Sequence, residues 1–266
     1  NKKMKKLVTI LLAAIMSVAA CFALTACGKS SDLETVKKNG KIVVGVTLYE
    51  PMDYLDAEGE WTGFDAELAK EFAKELDVNC QIVIITWGQK VAELNAKQID
   101  LVWNGMTASD ELGKEIDFSV SYAKNAQVAI VKNDSAITTK EQIKSAKVAV
   151  ESGSAGNAVA TEEQFANVIP VTAQVDAINE VIAGTSDVAI IDITMAQSVI
   201  GKGKFSNLKV VENVSYGDEI FAVGLRKGSD IKEKLDAFLK AKYKDGTLSA
   251  LAEKYSVGLN VKALES

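Results

Sequence analysis

The chain has 266 residues, of which 48% are hydrophobic and 25% charged, and its formal net charge is −6. This composition is typical of a folded chain with one large or two ordinary domains, and it excludes a disordered one. Histidine is absent and Arg226 is the single arginine. Catalysis by a histidine-containing triad and histidine-ligated metal sites are therefore excluded, and an acidic chain is a poor partner for nucleic acid.

Residues 1–26 have the features of a secretory signal peptide. Four lysines between positions 2 and 6 precede an apolar stretch from Leu7 to Leu24, which is the order of such signals. The stretch is also long enough for a retained transmembrane helix, which is the alternative. Its end, Leu24-Thr25-Ala26-Cys27, resembles a bacterial lipobox, in which the cysteine becomes the lipidated N-terminus. We expect acyl chains such as palmitate on Cys27 to anchor the chain, with residues 27–32 as the lipidated cysteine and a tether.

The remaining cysteines agree with this interpretation. Cys21 would leave with the signal and Cys27 would carry lipid, so Cys80 has no partner for an intramolecular disulfide. Cys80 lies in an apolar run, and we expect it to be a buried small hydrophobic residue.

The first half of the body alternates between strands and helices. The run KIVVGVT at 41–47 predicts a buried strand, and the apolar residues Phe64, Leu68, Phe72 and Leu76 recur at helical spacing. The predicted strands are 41–47, 81–85 and 100–103, and the predicted helices are 63–76 and 90–97. The order βαβαβ indicates a parallel sheet with a ligand site beyond the carboxyl ends of its strands.

A second α/β unit follows. Its predicted strands are 128–132, 147–150, 168–171, 187–191, 209–211 and 220–225, and its predicted helices are 157–165, 175–183, 194–200, 231–243 and 248–255. Two α/β lobes of ordinary size account for the whole body.

Several motifs, in this order and spacing, resemble the bacterial extracytoplasmic solute-binding proteins of family 3, which serve amino-acid ABC importers. They run from about residue 41 to 255. The motifs are Pro51-Met52 with Tyr54, Asp56 and Gly59, then Gly63-Phe64-Asp65, Gly105-Met106-Thr107, Ile116-Asp117-Phe118-Ser119, Ala126-Gln127, Val148–Ser154 and Asp187–Asp192.

The resemblance implies a two-lobed α/β fold of the periplasmic-binding-protein type, with two hinge strands and a ligand cleft between the lobes. Lobe 1 would comprise 33–127 plus 220–266, and lobe 2 would comprise 128–219. A ligand would close the lobes by a hinge motion, and the permease subunits of the importer would recognise the closed form. We expect a monomer, lipid-anchored to the outer face of the cytoplasmic membrane, without a cofactor or a metal.

The same resemblance assigns site residues one by one. Tyr49 and Trp87 correspond to aromatic walls, which attract cations. Asn104, Gly105 and Thr107 correspond to a loop that binds through backbone groups and small hydroxyls. Core packing is the alternative for the two aromatic residues.

The remaining assignments lie in lobe 2. Ser154 corresponds to a hydroxyl beside the ligand carboxylate, at a helix N-terminus that favours an anion, and Asp192 corresponds to the partner of the ligand amino group. Capping of the following helix is the alternative for both residues.

Leu112 departs from the family, whose amino-acid binders usually carry at this position an arginine that grips the α-carboxylate. Lys114 or Lys90 could substitute only as a point charge. Glu151 adds a second carboxylate, so two acids without a matched cation favour a cationic ligand. The alternative is that Glu151 pairs with a lysine or faces solvent. We therefore expect an amino acid or a related small amine, held by Asp192 and Glu151 between Tyr49 and Trp87.

Two other classes of function stay open at this point. One is a receptor subunit that feeds a separate signalling protein. The other, less favoured, is an enzyme on the same fold that uses the two carboxylates as acid and base. The expectation is a binding protein and not an enzyme.

Overall fold

The structure, a computed structural model, describes residues 31–266 and folds them into two lobes, each built on a five-stranded sheet. The predicted signal peptide and Cys27 lie outside the described residues. None of the helices in residues 31–266 is long and apolar enough to span a membrane.

Lobe 1 is formed by both ends of the described chain. Its strands are β1 (Lys41–Val46), β2 (Tyr54–Leu55), β3 (Trp61–Thr62), β4 (Asn79–Ile84), β5 (Leu101–Val102), β6 (Ile116–Phe118) and, much later, β12 (Gly224–Arg226). Its helices are α1 (Asp32–Asn39), α2 (Phe64–Glu75), α3 (Lys90–Asn95), α4 (Asp110–Glu115), α9 (Ile231–Lys244), α10 (Thr247–Tyr255) and α11 (Val261–Glu265). The sheet order is β4-β1-β5-β12-β6, and β2 and β3 form a separate hairpin.

The helical spacing predicted for residues 63–76 is confirmed by α2. Phe64, Leu68 and Phe72 are buried on one face, and the Phe72 ring centroid lies 5.2 Å from that of Phe238 and 6.2 Å from that of Trp103. Burying each such side chain stabilises the lobe by roughly 1.5–3 kcal/mol. The central strands β4, β1 and β5 are parallel, as predicted.

Lobe 2 is continuous in sequence. Its strands are β7 (Ala123–Lys132), β8 (Lys147–Glu151), β9 (Asn167–Val171), β10 (Val188–Asp192) and β11 (Leu208–Phe221), and its helices are α5 (Lys140–Ser145), α6 (Ala155–Glu162), α7 (Gln174–Ala183) and α8 (Ile193–Val199). The sheet order is β11-β7-β10-β8-β9, with β8 parallel to both β9 and β10. The carboxyl ends of β8 and β10 therefore place Glu151 and Asp192 at one edge of the sheet.

The long antiparallel strands β7 and β11 connect the lobes. Residue pairs run from Leu208 opposite Lys132 to Phe221 opposite Ala123, with two irregularities between 210 and 218. In lobe 1, Ala123 also bridges to Leu259 and Phe221 to Thr107. The two hinge strands are thus confirmed, while the lobe boundaries at 127/128 and 219/220, which lie within them, stay a prediction.

The strand predicted at 209–211 is confirmed but is longer than predicted, since β11 extends from Leu208 to Phe221. The single strand predicted at 220–225 is wrong, because residues 222–223 separate β11 from β12, which begins at Gly224. Most residues between positions 212 and 218 are polar and exposed, so this part of the strand has no clear hydrophobic alternation by which the sequence could predict it.

The end of the predicted tether belongs to lobe 1. Asp32 begins α1, and its carboxylate lies 2.9 Å from Nε of Arg226. Arg226 is buried, lies 3.1 Å from Asp100, and donates to the carbonyl oxygens of Leu94 and Ile99. The single arginine therefore stabilises lobe 1 and does not line the cleft.

Candidate functional site

A cleft of about 430 Å³ lies between the two lobes. The residues predicted as ligand-binding share this cleft: Tyr49, Trp87, Asn104, Gly105, Thr107, Leu112, Glu151, Ser154 and Asp192 all line it. Their contact with a ligand stays a prediction. The first six lie in lobe 1 and the last three in lobe 2, so the cleft brings together residues that are up to 143 positions apart (192 − 49).

Asp192 ends β10 and is 3% exposed. Its carboxylate accepts hydrogen bonds from the side-chain amides of Gln127 (2.6 Å), Asn125 and Gln174, and its backbone N–H donates to Oε1 of Gln174 at 2.8 Å. Its side chain does not cap α8, so the alternative capping role is wrong. Burial and the charge of Glu219 raise its pKa to about 6, although the three amide donors favour the charged form.

Glu219 lies on β11 and shares two of these amide donors. It accepts from Asn125 at 2.8 Å, from Gln127 at 2.9 Å and from the hydroxyl of Thr107 at 3.0 Å. No lysine or arginine of residues 31–266 lies within 4.0 Å of either Asp192 or Glu219. This side of the cleft is therefore negative and rich in fixed amide dipoles.

Glu151 ends β8 and is 2% exposed, so the alternative that it faces solvent is wrong. Its Oε1 atom has no hydrogen-bond partner among residues 31–266. Burial, reinforced by the charge of Asp192, raises its pKa to about 8, while Lys90 acts in the opposite direction. A buried oxygen without a partner is costly, and it is available to a donor that enters the cleft.

Lys90, the first residue of α3, is 4% exposed and lines the same cleft. Its ammonium donates to the carbonyl oxygens of Trp87 (3.2 Å) and Gly153 (2.9 Å) and lies 4.6 Å from the centroid of the Trp87 ring. Burial lowers its pKa to about 8, against the favourable charges of Glu151 and Glu115.

Of the two lysines that could replace the missing arginine, only Lys90 lies in the cleft. Lys114 is exposed and pairs with the exposed Glu111. The bond from Lys90 to Gly153 also joins the two lobes, which come so close that a Cβ on Gly153 would lie 2.9 Å from Cα of Gly88. The structure is thus a closed arrangement of the lobes.

The two aromatic residues are both cleft walls and core residues. Tyr49 is 2% exposed and packs edge-on against Phe221, with ring centroids 6.5 Å apart. Its hydroxyl has no hydrogen-bond partner among residues 31–266. Trp87 is 7% exposed and covered by Lys90.

The loop from Asn104 to Thr107 is held inside lobe 1. Gly105 has φ +53°, and a Cβ there would lie 2.7 Å from the Tyr49 ring, so a glycine is required. The Asn104 side chain accepts from the backbone N–H and the hydroxyl of Thr47, at 3.0 and 2.9 Å. It also donates to Asp53 at 2.7 Å. Asn104 therefore shapes the loop with its side chain.

Behind this loop lie two fully buried carboxylates, Asp53 and Asp65. Asp65 belongs to one of the family motifs, but the sequence did not indicate a role for either residue at the site. Asp65 accepts from the backbone N–H of Gly105 at 2.6 Å and from the hydroxyl of Tyr122 at 2.8 Å. Burial raises the pKa of Asp65 to about 7, and burial together with the charge of Asp65 raises that of Asp53. Both groups support the binding loop without facing the cleft.

Leu112 and Ser154 complete the wall. Leu112 lines the cleft at the position where the resemblance predicts an arginine, and the single arginine of the sequence, Arg226, is engaged in lobe 1. The Ser154 hydroxyl accepts from the backbone N–H of Asn157 at 3.2 Å, which confirms the capping role. The N-terminus of α6 still favours an anion beside it.

The amide cradle of Asp192 and the cross-lobe position of Lys90 were missed by the sequence assignments. Asn125 and Gln127 are two residues apart on a strand and so share a face, which is a signal that strand periodicity offers. Gln174 comes from a different element and carries no such signal. Within residues 31–266, no group of three acidic or cysteine side chains is placed to hold a metal ion.

Comparison with known proteins agrees with this geometry. The family model of the bacterial extracellular solute-binding proteins, family 3, matches residues 42–258. The arginine-binding extracellular protein ArtP of Bacillus subtilis is 31% identical over 256 residues, covering 92% of this chain and 97% of its own.

Two solved structures are similar across most of the chain. The first is a mutant of the arginine-binding protein ArgBP from T. maritima, with a TM-score of 0.79 and 29% identity, covering 84% of this chain and 98% of that one. The second is the ancestral amino acid-binding protein AncCDT-1, a precursor of cyclohexadienyl dehydratase, with a TM-score of 0.78 and 32% identity, covering 85% and 99%. The chain belongs to family 3 of the bacterial extracellular solute-binding proteins.

Proposed function

We propose that the chain is the substrate-binding lipoprotein of an ABC importer. It captures an amino acid or a related small cationic amine by hinge closure and delivers it to the permease subunits in the membrane. Lipid on Cys27 anchors it to the outer face of the cytoplasmic membrane, and it works as a monomer without a cofactor. The family and its amino-acid-binding relatives support the transport role.

The proposal rests mainly on the surroundings of the Asp192 carboxylate. This carboxylate is buried in the cleft, is cradled by three amide donors and has no cation of its own within ion-pair distance among residues 31–266. A buried carboxylate is stable as an anion only when a charge or donors compensate it. The protonated amine of a ligand completes this arrangement.

The same site accounts for closure. Thr107 and Tyr49 come from lobe 1 and Asp192 from lobe 2, so a ligand on Asp192 meets both lobes only when they are closed. A ligand shifts a conformational equilibrium only through its better contacts in one state. Contacts shared between the lobes therefore convert binding energy into closure.

Calorimetry of the purified chain tests the proposal, with free amino acids, their amides, monoamines and diamines as ligands. We expect monoamines and amino-acid amides to bind more tightly than free amino acids, because no arginine matches the α-carboxylate. Acidic amino acids should bind most weakly, since their additional negative charge enters a cleft lined by Asp192 and Glu219. Tight binding of glutamate that is unaffected by Glu151→Gln would contradict the proposal. Mass analysis of the membrane-extracted protein tests the lipid on Cys27.

A receptor subunit for a signalling protein would use the same capture step and differs only in its partner. Loss of amine uptake when the chain is deleted from its host would support the importer. Unchanged uptake with a lost transcriptional response would support the receptor instead.

An enzyme is the second candidate, because the two cleft carboxylates have separated pKa values, about 8 for Glu151 and about 6 for Asp192. Such a separation suits an acid and a base. The two functions are distinguished by incubating the protein with its ligand and analysing the ligand by mass spectrometry. Recovery of unchanged ligand supports a binding protein, and a chemically altered ligand supports an enzyme.

A further inference from the structure

One side of the cleft already contains a cation that belongs to the protein. We call this the loop side and define it by Trp87, Lys90, Glu151 and Gly153. The Lys90 ammonium lies 4.6 Å from the Trp87 ring centroid and donates to Gly153 in the opposite lobe at 2.9 Å. The ring that the sequence assigned to a ligand cation is therefore covered by the ammonium of Lys90.

The hinge side, defined by Asn125, Gln127, Gln174, Asp192 and Glu219, has the opposite character. It contributes two carboxylates and three amides, and no lysine or arginine in the described part of the chain lies within ion-pair distance of those carboxylates. Within residues 31–266, the cleft thus presents a negative end with no lysine or arginine at ion-pair distance and a second end that already contains the Lys90 ammonium.

A ligand with two positively charged ends would be attracted by the hinge side and repelled by the loop side. One amine fits Asp192, but a second amine on the loop side would approach the buried Lys90 ammonium. Like charges repel strongly where water is excluded. An uncharged end can instead pack beside Trp87 without displacing Lys90.

We infer that Lys90 is a specificity-determining residue that restricts the site to ligands with a positive charge at one end only, bound at Asp192. The inference rests on the proposed function, since it assumes that an amine binds at Asp192. It separates this chain from a relative such as ArtP, whose name gives arginine, a ligand with a second cationic group.

Removing the Lys90 charge should reverse the selection. The Trp87 face and the Oε1 atom of Glu151, which has no partner among residues 31–266, would then be free to receive a second ligand cation. A single substitution would convert a site for monoamines into one that accepts dibasic ligands.

Calorimetry at neutral pH with norleucinamide and lysinamide tests this inference. The two probes have the same α-amino group and the same six-carbon chain, and lysinamide carries an additional ammonium group on its terminal carbon. We expect the wild type to bind norleucinamide at least tenfold more tightly. Lys90→Met should shift the ratio of the two dissociation constants at least tenfold toward lysinamide, and Lys90→Gln should shift it in the same direction. Lys114→Met, at an exposed lysine outside the cleft, should leave the ratio unchanged.

The outcomes are distinct. Preference of the wild type for lysinamide, or an unchanged ratio in a folded Lys90 variant, overturns the inference and leaves the proposed function standing. Failure of every amine to bind the wild type overturns the proposed function and the inference with it. If neither Lys90 variant folds, the preference of the wild type alone decides.

Discussion

Two groups of buried carboxylates differ in what surrounds their oxygen atoms. Asp192 lies in the cleft and receives three side-chain amides from β7 and α7. Asp53 and Asp65 lie behind the binding loop of lobe 1, where each keeps one oxygen without a hydrogen-bond partner in residues 31–266. All three side chains are at most 3% exposed, so burial alone does not distinguish them.

The difference lies in where each carboxylate could find a positive charge. The amides around Asp192 favour its charged form, and Asp192 lines the cleft, so a ligand in the cleft can contact its carboxylate. The donors to Asp65 are the backbone of Gly105 and the hydroxyl of Tyr122, both of which are parts of the fold. The cleft carboxylate is therefore suited to an external cation, and the pair behind the loop is suited to hold that loop in place.

Asp192→Asn is the strongest way to test this comparison. Truncating one member of a buried charge pair costs roughly 2–5 kcal/mol, which corresponds to roughly 30-fold to several-thousand-fold in affinity. We expect a loss of amine binding in this range by calorimetry. Asp218→Asn, at an exposed position on the same hinge strand as Glu219, is the matched control and should bind as the wild type does. Equal affinity of both variants would show that the ligand does not use Asp192.

The pH dependence of the same interaction has a defined sign. The pKa of Asp192 is raised to about 6 in the closed protein without ligand, so the contribution of its charge to amine binding is present above this pH and is lost as the pH falls through it. Below pH 6 the dissociation constant should rise about tenfold per pH unit, since one pKa unit corresponds to about 1.4 kcal/mol. Asp192→Asn should abolish this rise below pH 6.

Substitution of the two carboxylates behind the binding loop, Asp53 and Asp65, should destabilise the protein to different extents. Asp65→Ala leaves the Gly105 N–H and the Tyr122 hydroxyl without their acceptor, at about 1–3 kcal/mol for each buried group. Asp53→Ala removes only one hydrogen bond to Asn104, whose Nδ2 still donates to the Thr47 carbonyl at 3.0 Å. Chemical unfolding should therefore show a loss of roughly 2–6 kcal/mol for Asp65→Ala and clearly less for Asp53→Ala. Equal losses would contradict the larger contribution to loop support that we assign to Asp65.

Local pattern was sufficient to predict most of the fold. Helix α2 has four apolar residues at helical spacing, and β1 and β10 are runs of buried β-branched residues, so each carries its own signal. The elements that were missed are α1, α4, α5, α11, the β2–β3 hairpin and β6. They are short or polar, and contacts distant in sequence stabilise them, such as the ion pair between Asp32 and Arg226.

The family resemblance predicted which residues line the cleft. It did not predict which charged groups are paired inside the cleft. The position of Leu112 made the missing guanidinium visible in the sequence. The sequence could not show that Lys90 lies over Trp87, because this depends on the packing of α3 against a loop that is 63 residues away. The groups that surround a buried charge are set by the tertiary structure. For this reason the sequence could not show that Asp192 is surrounded by amides while Glu151 lies on the side of the cleft that contains Lys90.

The smallest effect is expected from a substitution at the close contact between the two lobes, where Gly153 lies against Gly88. Gly153 has φ +73°, and a Cβ there would lie 2.9 Å from Cα of Gly88 in the other lobe. Gly201 has φ +78° and no atom within 4 Å of its Cβ position, so Gly201→Ala introduces the same kind of backbone strain without a contact between the lobes. Overpacking costs typically about 1–3 kcal/mol, and for Gly153→Ala this cost falls on the closed state alone. We expect both variants to lose a similar amount of thermal stability, and only Gly153→Ala to weaken amine binding, by about fivefold to a hundredfold in calorimetry. If both variants bind equally well, the contact between Gly88 and Gly153 is not part of the closed, ligand-bound form.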